Sequence, residues 1–342
     1  MYARLLRHKA RSLCNWMPSP VCIHASHRFA RTKAHPHKDQ VDALAKTRPE
    51  ISYALPDDPF WRRTLIRAIE TISGRNRILN TYRTWRRHYY EKSPDHIYAF
   101  FRLFRIRLET EARQWPPAPL TDAPIVLVAN HPYGIVDGLA ALALAEDLGR
   151  PYKVLLNKDL TCFPELVSRS LPVDFDETRE AARNNIHTRK EALRYLQEGY
   201  TIIVFPAGGV ATAHDVWGKA EELPWKVFPA RMIIEAKAAV LPVFFEGQNS
   251  RLFHLASKFS LTLRLSLLVW EFRRLVGSAC RVRIGDIVPF EALENKTGRQ
   301  ALTKELHDRV HTLAKPDAPA EDWLGAAVDE PQPAHASVRV GD

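Results

Sequence analysis

Residues 125–138 decide the fold, and they read IVLVANHPYGIVDG. The five consecutive apolar residues of Ile125–Ala129 are typical of a short strand that is buried on both faces. Pro132 and Gly134 then force a turn, and the Ala- and Leu-rich residues 136–148 predict a helix. A buried strand that turns directly into a helix is the unit from which α/β folds are built.

The alternation of strand and helix continues along the chain. Alternation of apolar with charged residues predicts a strand at 104–109, and apolar runs predict further strands at 152–156, 201–205, 240–246 and 280–288. Helical periodicity predicts helices at 180–197, 227–238, 261–275 and 298–314. This pattern implies an α/β fold with a mixed, largely parallel central sheet that is covered by helices.

A histidine and an aspartate frame the turn after the first buried strand. His131 follows the strand, and Asp137 comes six residues later, at the start of the predicted helix. In open α/β sheets ligands bind at the carboxyl ends of the strands, and a carboxylate that accepts from Nδ1–H leaves Nε2 free as a base. The pair therefore predicts a catalytic dyad that activates a hydroxyl of the substrate directly. The alternative is a structural turn in which His131 is a cap and Asp137 is the helix N-cap.

Two more apolar strands are predicted to end in small and polar residues. The loop at 205–209 contains two glycines, whose N–H groups can cradle an anion or a carbonyl oxygen. The alternative for this loop is a tight turn that needs positive φ. After the strand at 240–246, Glu246 and Asn249 are predicted either to contact a substrate or to cap the loop.

Composition and missing motifs exclude several classes of protein. Of the 342 residues, 46% are hydrophobic and 26% are charged, which is ordinary for a globular chain. No run of 18 apolar residues occurs, so a plain membrane-spanning helix is not expected. The four cysteines form no CxxC pair, which argues against a zinc site or a disulfide framework. The absence of GxSxG, GxGxxG and HExxH motifs argues against serine hydrolases, dinucleotide-binding enzymes and zinc proteases.

In this order, the three motifs resemble the glycerolipid acyltransferase family. They are most similar to its lysophospholipid (1-acylglycerol-3-phosphate acyltransferase-like) group, and within it to the bacterial hemolysin-like branch. The resemblance covers residues 95–290. The family's Asn-His and Asp block is matched by Asn130, His131 and Asp137, with five residues between His and Asp where most of the family has four. The branch's Pro-Val-x-Phe-Glu-Gly-x-Asn-Ser stretch is matched at 242–250.

One block departs from the family. Its Phe-Pro-Glu-Gly sequence, which in the family helps to hold the phosphate of the acceptor, corresponds to 205–209. Here Ala207 stands in place of the glutamate, and no arginine follows closely. The block residues expected beside the substrate by this resemblance are Phe205, Pro206, Ala207, Gly208 and Gly209.

The resemblance implies that a fatty acyl group moves from acyl-CoA or acyl carrier protein to a lyso-lipid acceptor. It implies His131 as the general base, Asp137 as the group that orients it, and backbone amides near Gly208 and Gly209 as donors to the oxyanion. Asn130 and Gly134 of the first block are expected beside the substrate, as are Glu246 and Asn249 of the third. No metal and no redox cofactor is implied, and no nucleic acid is expected as a partner.

Basic residues are concentrated in the first third of the chain, where residues 1–120 contain 23 Lys and Arg against 10 Asp and Glu. Residues 1–50 are predicted to be a basic disordered leader, and residues 315–342 a disordered tail. Residues 51–103 mix aromatic residues with arginines, which predicts an amphipathic helical region that faces an anionic membrane. The alternative is that these aromatic side chains pack into the core. The acyltransferase domain is predicted over 104–314, peripheral at the cytoplasmic face of a membrane.

A second hypothesis is a non-catalytic lipid- or nucleic-acid-binding protein on a decayed acyltransferase fold. It is motivated by Ala207 and by the extra residue between His131 and Asp137. It predicts salt-sensitive binding and no turnover with any acyl donor.

Overall fold

The central sheet is built around the apolar stretch that opens the first motif. In the computed structural model, β2 (Ile125–Ala129) is fully buried. It pairs in parallel with β5 (Thr201–Val204) on one side and with β8 (Ala239–Phe245) on the other. Alternate side chains of β2 enter two different cores, because side chains of a strand alternate between the two faces of its sheet.

Four further strands complete a sheet of seven. They are β1 (Arg107–Ala112), β3 (Tyr152–Asn157), β4 (Ser170–Val173) and β9 (Ala279–Ile284). The order is β1-β9-β8-β2-β5-β3-β4, and only the β8–β9 pairing of this sheet is antiparallel. A separate small hairpin joins β6 (Thr212–Ala213) to β7 (Ala220–Glu221). The predicted mixed, largely parallel sheet is therefore confirmed.

The structure describes residues 59–72, 74–90, 92–158, 164–174, 178–213, 215, 218–259, 261–294 and 298–314. The predicted leader (1–50) and tail (315–342) lie outside the described residues, as do residues 51–58 at the start of the predicted membrane-facing region.

Helices cover both faces of the sheet. They are α1 (Phe60–Ile72), α2 (Arg75–His88), α3 (His96–Leu103), α4 (Ile135–Asp147), α5 (Pro164–Val167), α6 (Arg179–Gln197), α7 (Phe228–Ala236), α8 (Arg251–Phe259), α9 (Leu261–Leu275), α10 (Glu291–Glu294) and α11 (Arg299–Thr312). Side chains of α2, α3 and α4 share a core with one face of the sheet, and those of α6, α7 and α11 share a core with the other face. No helix among the described residues is both long enough and apolar enough to cross a bilayer.

The aromatic side chains that follow α1 lie mostly inside the protein. Trp85, Phe100 and Phe104 are buried in the core that contains α4, and Trp85 meets Phe100 edge-on with ring centroids 5.4 Å apart. For these residues the core alternative holds and the membrane-facing interpretation is wrong, because their rings pack against the sheet and its helices. On α1, by contrast, Phe60 is 76% exposed and Trp61 is 67% exposed.

The predicted strand at 104–109 starts in the wrong place. Phe104 is the C-cap residue that follows α3, Arg105 has a left-handed conformation with φ 54°, and β1 begins at Arg107. Phe104 and Ile106 are both buried. Two buried side chains on either side of an exposed arginine imitate the alternation of a strand, although a turn separates them.

Several short elements are not predicted by the sequence, and the four-residue helices α5 and α10 are among them. The edge strand β4 has four residues and includes Pro172, which removes a backbone donor. Each strand of the hairpin has two residues, and α8 has nine. Segments as short as these contain too few repeats of a hydrophobic period to be recognised.

Candidate active site

The three sequence motifs meet at one edge of the sheet. Since β8, β2 and β5 are parallel neighbours, the residues that follow Ala129, Val204 and Phe245 leave the sheet side by side. This is the carboxyl edge, where ligands bind in open α/β folds. The structure thus brings together segments that are far apart in the chain.

His131 and Asp137 form a close pair at this edge. Nδ1 of His131 lies 3.2 Å from Oδ2 of Asp137, in a contact that is bent away from ideal hydrogen-bond geometry. Asp137 is fully buried, and its two oxygens accept the backbone N–H groups of Tyr133 and Gly138, each at 2.9 Å. The carboxylate is therefore held in place by its own turn, whereas the side chain of His131 stays 17% exposed.

Asp137 is not the cap of its helix. The N-cap position of α4 is Gly134, and Asp137 lies in the first turn. A side chain at Gly134 would contact Val210 and Leu268, since a Cβ there would lie 3.0 Å and 3.2 Å from their methyl groups. Gly134, predicted to lie beside the substrate, therefore lets the start of α4 pack closely against the loop after β5.

Glu222 is a second carboxylate at His131 that the sequence analysis misses. Its Oε1 accepts the backbone N–H of His131 at 2.7 Å, and its Oε2 accepts Nε1–H of Trp225 at 3.0 Å. Oε2 also lies 3.3 Å from Nε2 of His311. Glu222 follows β7 and belongs to no motif, so no signal in the sequence points to it.

The surroundings of His131 favour its protonated form. Burial opposes the positive charge, but the carboxylates of Asp137 and Glu222 outweigh it, so the pKa of His131 lies above its ordinary value. The guanidinium of Arg264 on α9 acts in the opposite direction and lowers this pKa. The basicity of His131 is thus a balance among four influences, of which only Asp137 is close in sequence.

Asn130 joins two strand ends. Its Nδ2 donates to the carbonyl of Phe245 at 2.9 Å, and its Oδ1 accepts the N–H of the same residue at 2.6 Å. The side chain is buried, so it extends the pairing of β2 with β8 beyond the end of the ladder. These bonds give Asn130 a role in positioning the two strand ends. This role differs from the predicted contact with the substrate.

The loop after β5 lies directly over the histidine. The ring of Phe205 lies 4.2 Å from the ring of His131, centroid to centroid. Pro206 and Ala207 are buried, and the carbonyl of Pro206 accepts a backbone N–H from Lys226. The position where the family has glutamate is therefore an interior one, closed to a larger side chain unless the loop moves.

The two glycines of this loop differ in what their amides do. The N–H of Gly208 donates to the carbonyl of Phe205 at 2.9 Å, so it closes the turn. The prediction that it serves the oxyanion is wrong for this conformation, because the donor is already used. The N–H of Gly209 has no backbone acceptor among the described residues.

Tyr133 links the first and third motifs. Its hydroxyl donates to the carbonyl of Glu246 at 2.8 Å, and its own carbonyl accepts Nδ2–H of Asn249 at 3.3 Å. The hydroxyl occupies the space where Gly247 would place a Cβ, so only glycine fits at that position. Burial, helped by nearby negative groups, raises the pKa of Tyr133 to about 12, and the hydroxyl remains a donor.

Glu246 and Asn249, both predicted to contact substrate, have different surroundings. The carboxylate of Glu246 is 41% exposed and lies 3.4 Å from Arg283 on β9. Asn249 is 2% exposed, and its Oδ1 has no hydrogen-bond partner among the described residues. Asn249 thus keeps a buried acceptor at the site, whereas the side chain of Glu246 is directed to an ion pair.

Metal-ligating side chains are not grouped in the part of the chain that the structure describes. There, no three His, Cys, Asp or Glu side chains are arranged so that they could hold a metal ion. Independence of metals and cofactors stays a prediction.

Comparison with known proteins identifies the family. The chain is similar over 74% of its length, and over 95% of the other chain, to the crystal structure of the 1-acyl-sn-glycerophosphate (LPA) acyltransferase PlsC from Thermotoga maritima, with 16% sequence identity and a TM-score of 0.45. No curated protein matches the chain significantly. A family model described as "Acyltransferase" matches residues 42–299, which include α1 to α3 and begin upstream of the predicted domain boundary at 104. Because this match covers most of the sequence, the chain belongs to the acyltransferase family.

Proposed function

We propose that this protein is a membrane-associated O-acyltransferase. It transfers a fatty acyl group from the thioester of acyl-CoA or acyl carrier protein to a hydroxyl group of a lyso-lipid, in phospholipid or glycerolipid synthesis. The observation that supports this most directly is the pairing of His131 with Asp137 at the carboxyl edge of β2, in a chain of the acyltransferase family. In this proposal the protein is peripheral, at the cytoplasmic face of the membrane.

His131 is the general base in this proposal. Its Nδ1 faces Asp137, so Nε2 is the nitrogen available to take the proton of the acceptor hydroxyl. The oxygen then attacks the thioester carbonyl and a tetrahedral intermediate forms. When the C–S bond breaks, the imidazolium returns the proton to the leaving thiolate, and the products are an ester and a thiol.

Asp137 is the positioning residue of this step. Its oxygens are held by two backbone N–H groups, so the carboxylate cannot turn away from His131 when the charge on the imidazole changes. Its negative charge stabilises the imidazolium that exists while the intermediate does. The ring of His131 lies against Asp137 and Phe205.

The oxyanion of the intermediate requires a donor, and the N–H of Gly209 is the one we assign. This amide has no backbone acceptor among the described residues, whereas that of Gly208 is used within the turn. The loop also places Phe205 against His131, so a donor on this loop is near the attacking group. Preorganised donors of this kind lower the barrier because they need no rearrangement during the reaction.

Membrane association is supported by exposed apolar side chains on two helices that pack against α9. On α1 these are Phe60 and Trp61, and on α8 they are Leu252 and Leu255, which are at least 39% exposed. Apolar side chains on a strongly basic background suit the interface of an anionic bilayer. The N-terminal third of the chain provides this basic background.

The proposal is tested by acyl transfer from a radiolabelled donor into a panel of lyso-lipids. The donor is supplied both as CoA thioester and as carrier-protein thioester, in liposomes with and without anionic lipid. The His131→Ala variant is expected to lose transfer by about 10²–10⁴-fold, because a general base contributes about that much. The matched control is His187→Ala, since His187 is an exposed histidine on α6.

Two outcomes would contradict the proposal. Transfer that survives in a folded His131→Ala variant would remove the dyad mechanism. No transfer by a wild type that nevertheless binds liposomes, with any donor or acceptor, would favour the alternative of a lipid-binding protein on an inactive acyltransferase fold.

A further inference from the structure

Arg264 reaches the candidate active site from a distant part of the chain. It lies on α9, and its Nη2 donates to the carbonyl of Val210 at 2.7 Å. Val210 follows Gly209, and the next residue, Ala211, donates its N–H to the carbonyl of His131 at 2.8 Å. The guanidinium therefore lies against the loop that covers the histidine, on a helix that also packs Leu268 against Gly134.

Among the residues that the structure describes, none places a carboxylate within ion-pair distance of the Arg264 guanidinium. The acid two turns further along the same helix, Glu271, accepts hydrogen bonds from Ser250 and Arg274 instead. The guanidinium also lies over the ring of Phe253, whose centroid is 5.6 Å from its central carbon.

A partly buried charge without an ion-pair partner is costly for a protein to keep. Removing a cation from water is unfavourable unless an anion or hydrogen-bond acceptors compensate for it. A guanidinium has five N–H donors in a planar fork that matches phosphate and carboxylate oxygens, and the carbonyl of Val210 occupies only part of it. Burial also lowers the pKa of Arg264.

We propose that Arg264 binds a phosphate-type oxyanion of a substrate beside His131. The proposal rests on the proposed acyltransferase function, and it names a property of the substrates. Either the lyso-lipid acceptor or the thioester donor brings a phosphate to the loop at 205–210. Ala207 and the lack of an arginine after Gly209 leave this loop without charged side chains of its own. Arg264 on α9 is distant in sequence but lies against this loop, and it supplies the positive charge that the loop lacks.

The test separates the acceptor from the donor as the source of the phosphate. Wild type, Arg264→Gln and Arg264→Lys are assayed with lysophosphatidic acid and with monoacylglycerol of the same chain length. Each acceptor is combined with acyl-CoA and with S-acyl-N-acetylcysteamine, a thioester that has no phosphate. Glutamine can still donate to Val210 but has no charge, and lysine keeps the charge without the fork.

For a phosphate on the acceptor, Arg264→Gln is expected to raise the KM for lysophosphatidic acid by about tenfold to a hundredfold. The KM for monoacylglycerol stays within about twofold, and lysine restores part of the loss. If the rise in KM instead follows acyl-CoA and disappears with the cysteamine thioester, the oxyanion belongs to the donor. The matched control is Arg273→Gln on the same helix, whose arginine bonds to the carbonyl of Ile72 on α1.

Two results would overturn the proposal. One is an equal loss for all four substrate pairs, which would make Arg264 a structural residue. The other is no loss for any pair in a variant with unchanged thermal unfolding.

A measurement without turnover keeps this proposal separate from the proposed function. Inorganic phosphate is expected to raise the Tm of the wild type and not that of Arg264→Gln. If the wild type transfers no acyl group but shows this Arg264-dependent rise, the oxyanion site stands and the proposed function fails. If neither the rise nor any discrimination between substrates is found, the oxyanion site is rejected.

Discussion

The two sides of His131 are built in different ways. On one side, Asp137 belongs to the same turn and is held by backbone N–H groups within seven residues of the histidine. On the other side, Glu222 and Arg264 come from a loop and a helix much further along the chain. The orientation of the imidazole is therefore a local property, while the balance of charge around it depends on the whole tertiary structure.

The largest effect is expected from a substitution of Asp137, on the local side of His131. Asp137→Asn removes the charge that stabilises the imidazolium and allows the wrong tautomer, so the rate of acyl transfer is expected to fall by about 10²–10⁴-fold. One of the two backbone N–H groups also loses its acceptor, which costs about 1–3 kcal/mol of stability. Single-turnover rates measured beside a thermal melt distinguish the two effects. A folded variant with near-normal rate would show that Asp137 does not act through His131.

A smaller effect is expected where Tyr133 joins the first and third motifs. Gly247→Ala combines a backbone conformation that is unfavourable for alanine with overlap against the Tyr133 hydroxyl. The free energy of unfolding is expected to fall by about 2–4 kcal/mol, measured by urea denaturation. Gly149→Ala is the matched control, since Gly149 also has positive φ but nothing within 4 Å of the new Cβ. Equal losses in the two variants would mean that the Tyr133 contact adds nothing.

The smallest effect is expected in the pH dependence of the reaction, when Glu222 or Arg264 on the distant side of His131 is substituted. Because the base must be neutral, kcat/KM is expected to rise with pH through the raised pKa of His131. Glu222→Gln removes a negative charge that raises this pKa, so the rising limb is expected to move to lower pH while the plateau stays nearly unchanged. Arg264→Gln removes a charge that lowers it, so the limb is expected to move to higher pH.

These shifts are measured in pH profiles of kcat/KM. The matched control is Asp308→Asn, because Asp308 is an exposed acid on α11. Shifts in the same direction for Glu222→Gln and Arg264→Gln would contradict the assignment of opposite roles to these two residues.

The strands that position the site could be predicted because β2 and β8 are apolar throughout and β5 has one polar residue, Thr201. A run such as that of β2 or β8 can only lie inside a sheet that is covered on both faces, and its end is marked by the first polar residue. The start of β1 could not be predicted, because buried Phe104 and Ile106 alternate with arginines across a turn. The aromatic residues of α2 and α3 were also ambiguous, since aromatic rings suit a core and a membrane interface equally well.

By itself, the sequence determined the α/β fold, the edge of the sheet at which the motifs meet, and the pairing of His131 with Asp137. All three follow from short-range patterns: hydrophobic period, turn residues and a spacing of six. Only the tertiary structure decided that Glu222 and Arg264 set opposing charges around the base. These depend on contacts between distant segments, which are fixed by how helices and loops pack on the sheet and leave no periodic trace in the sequence.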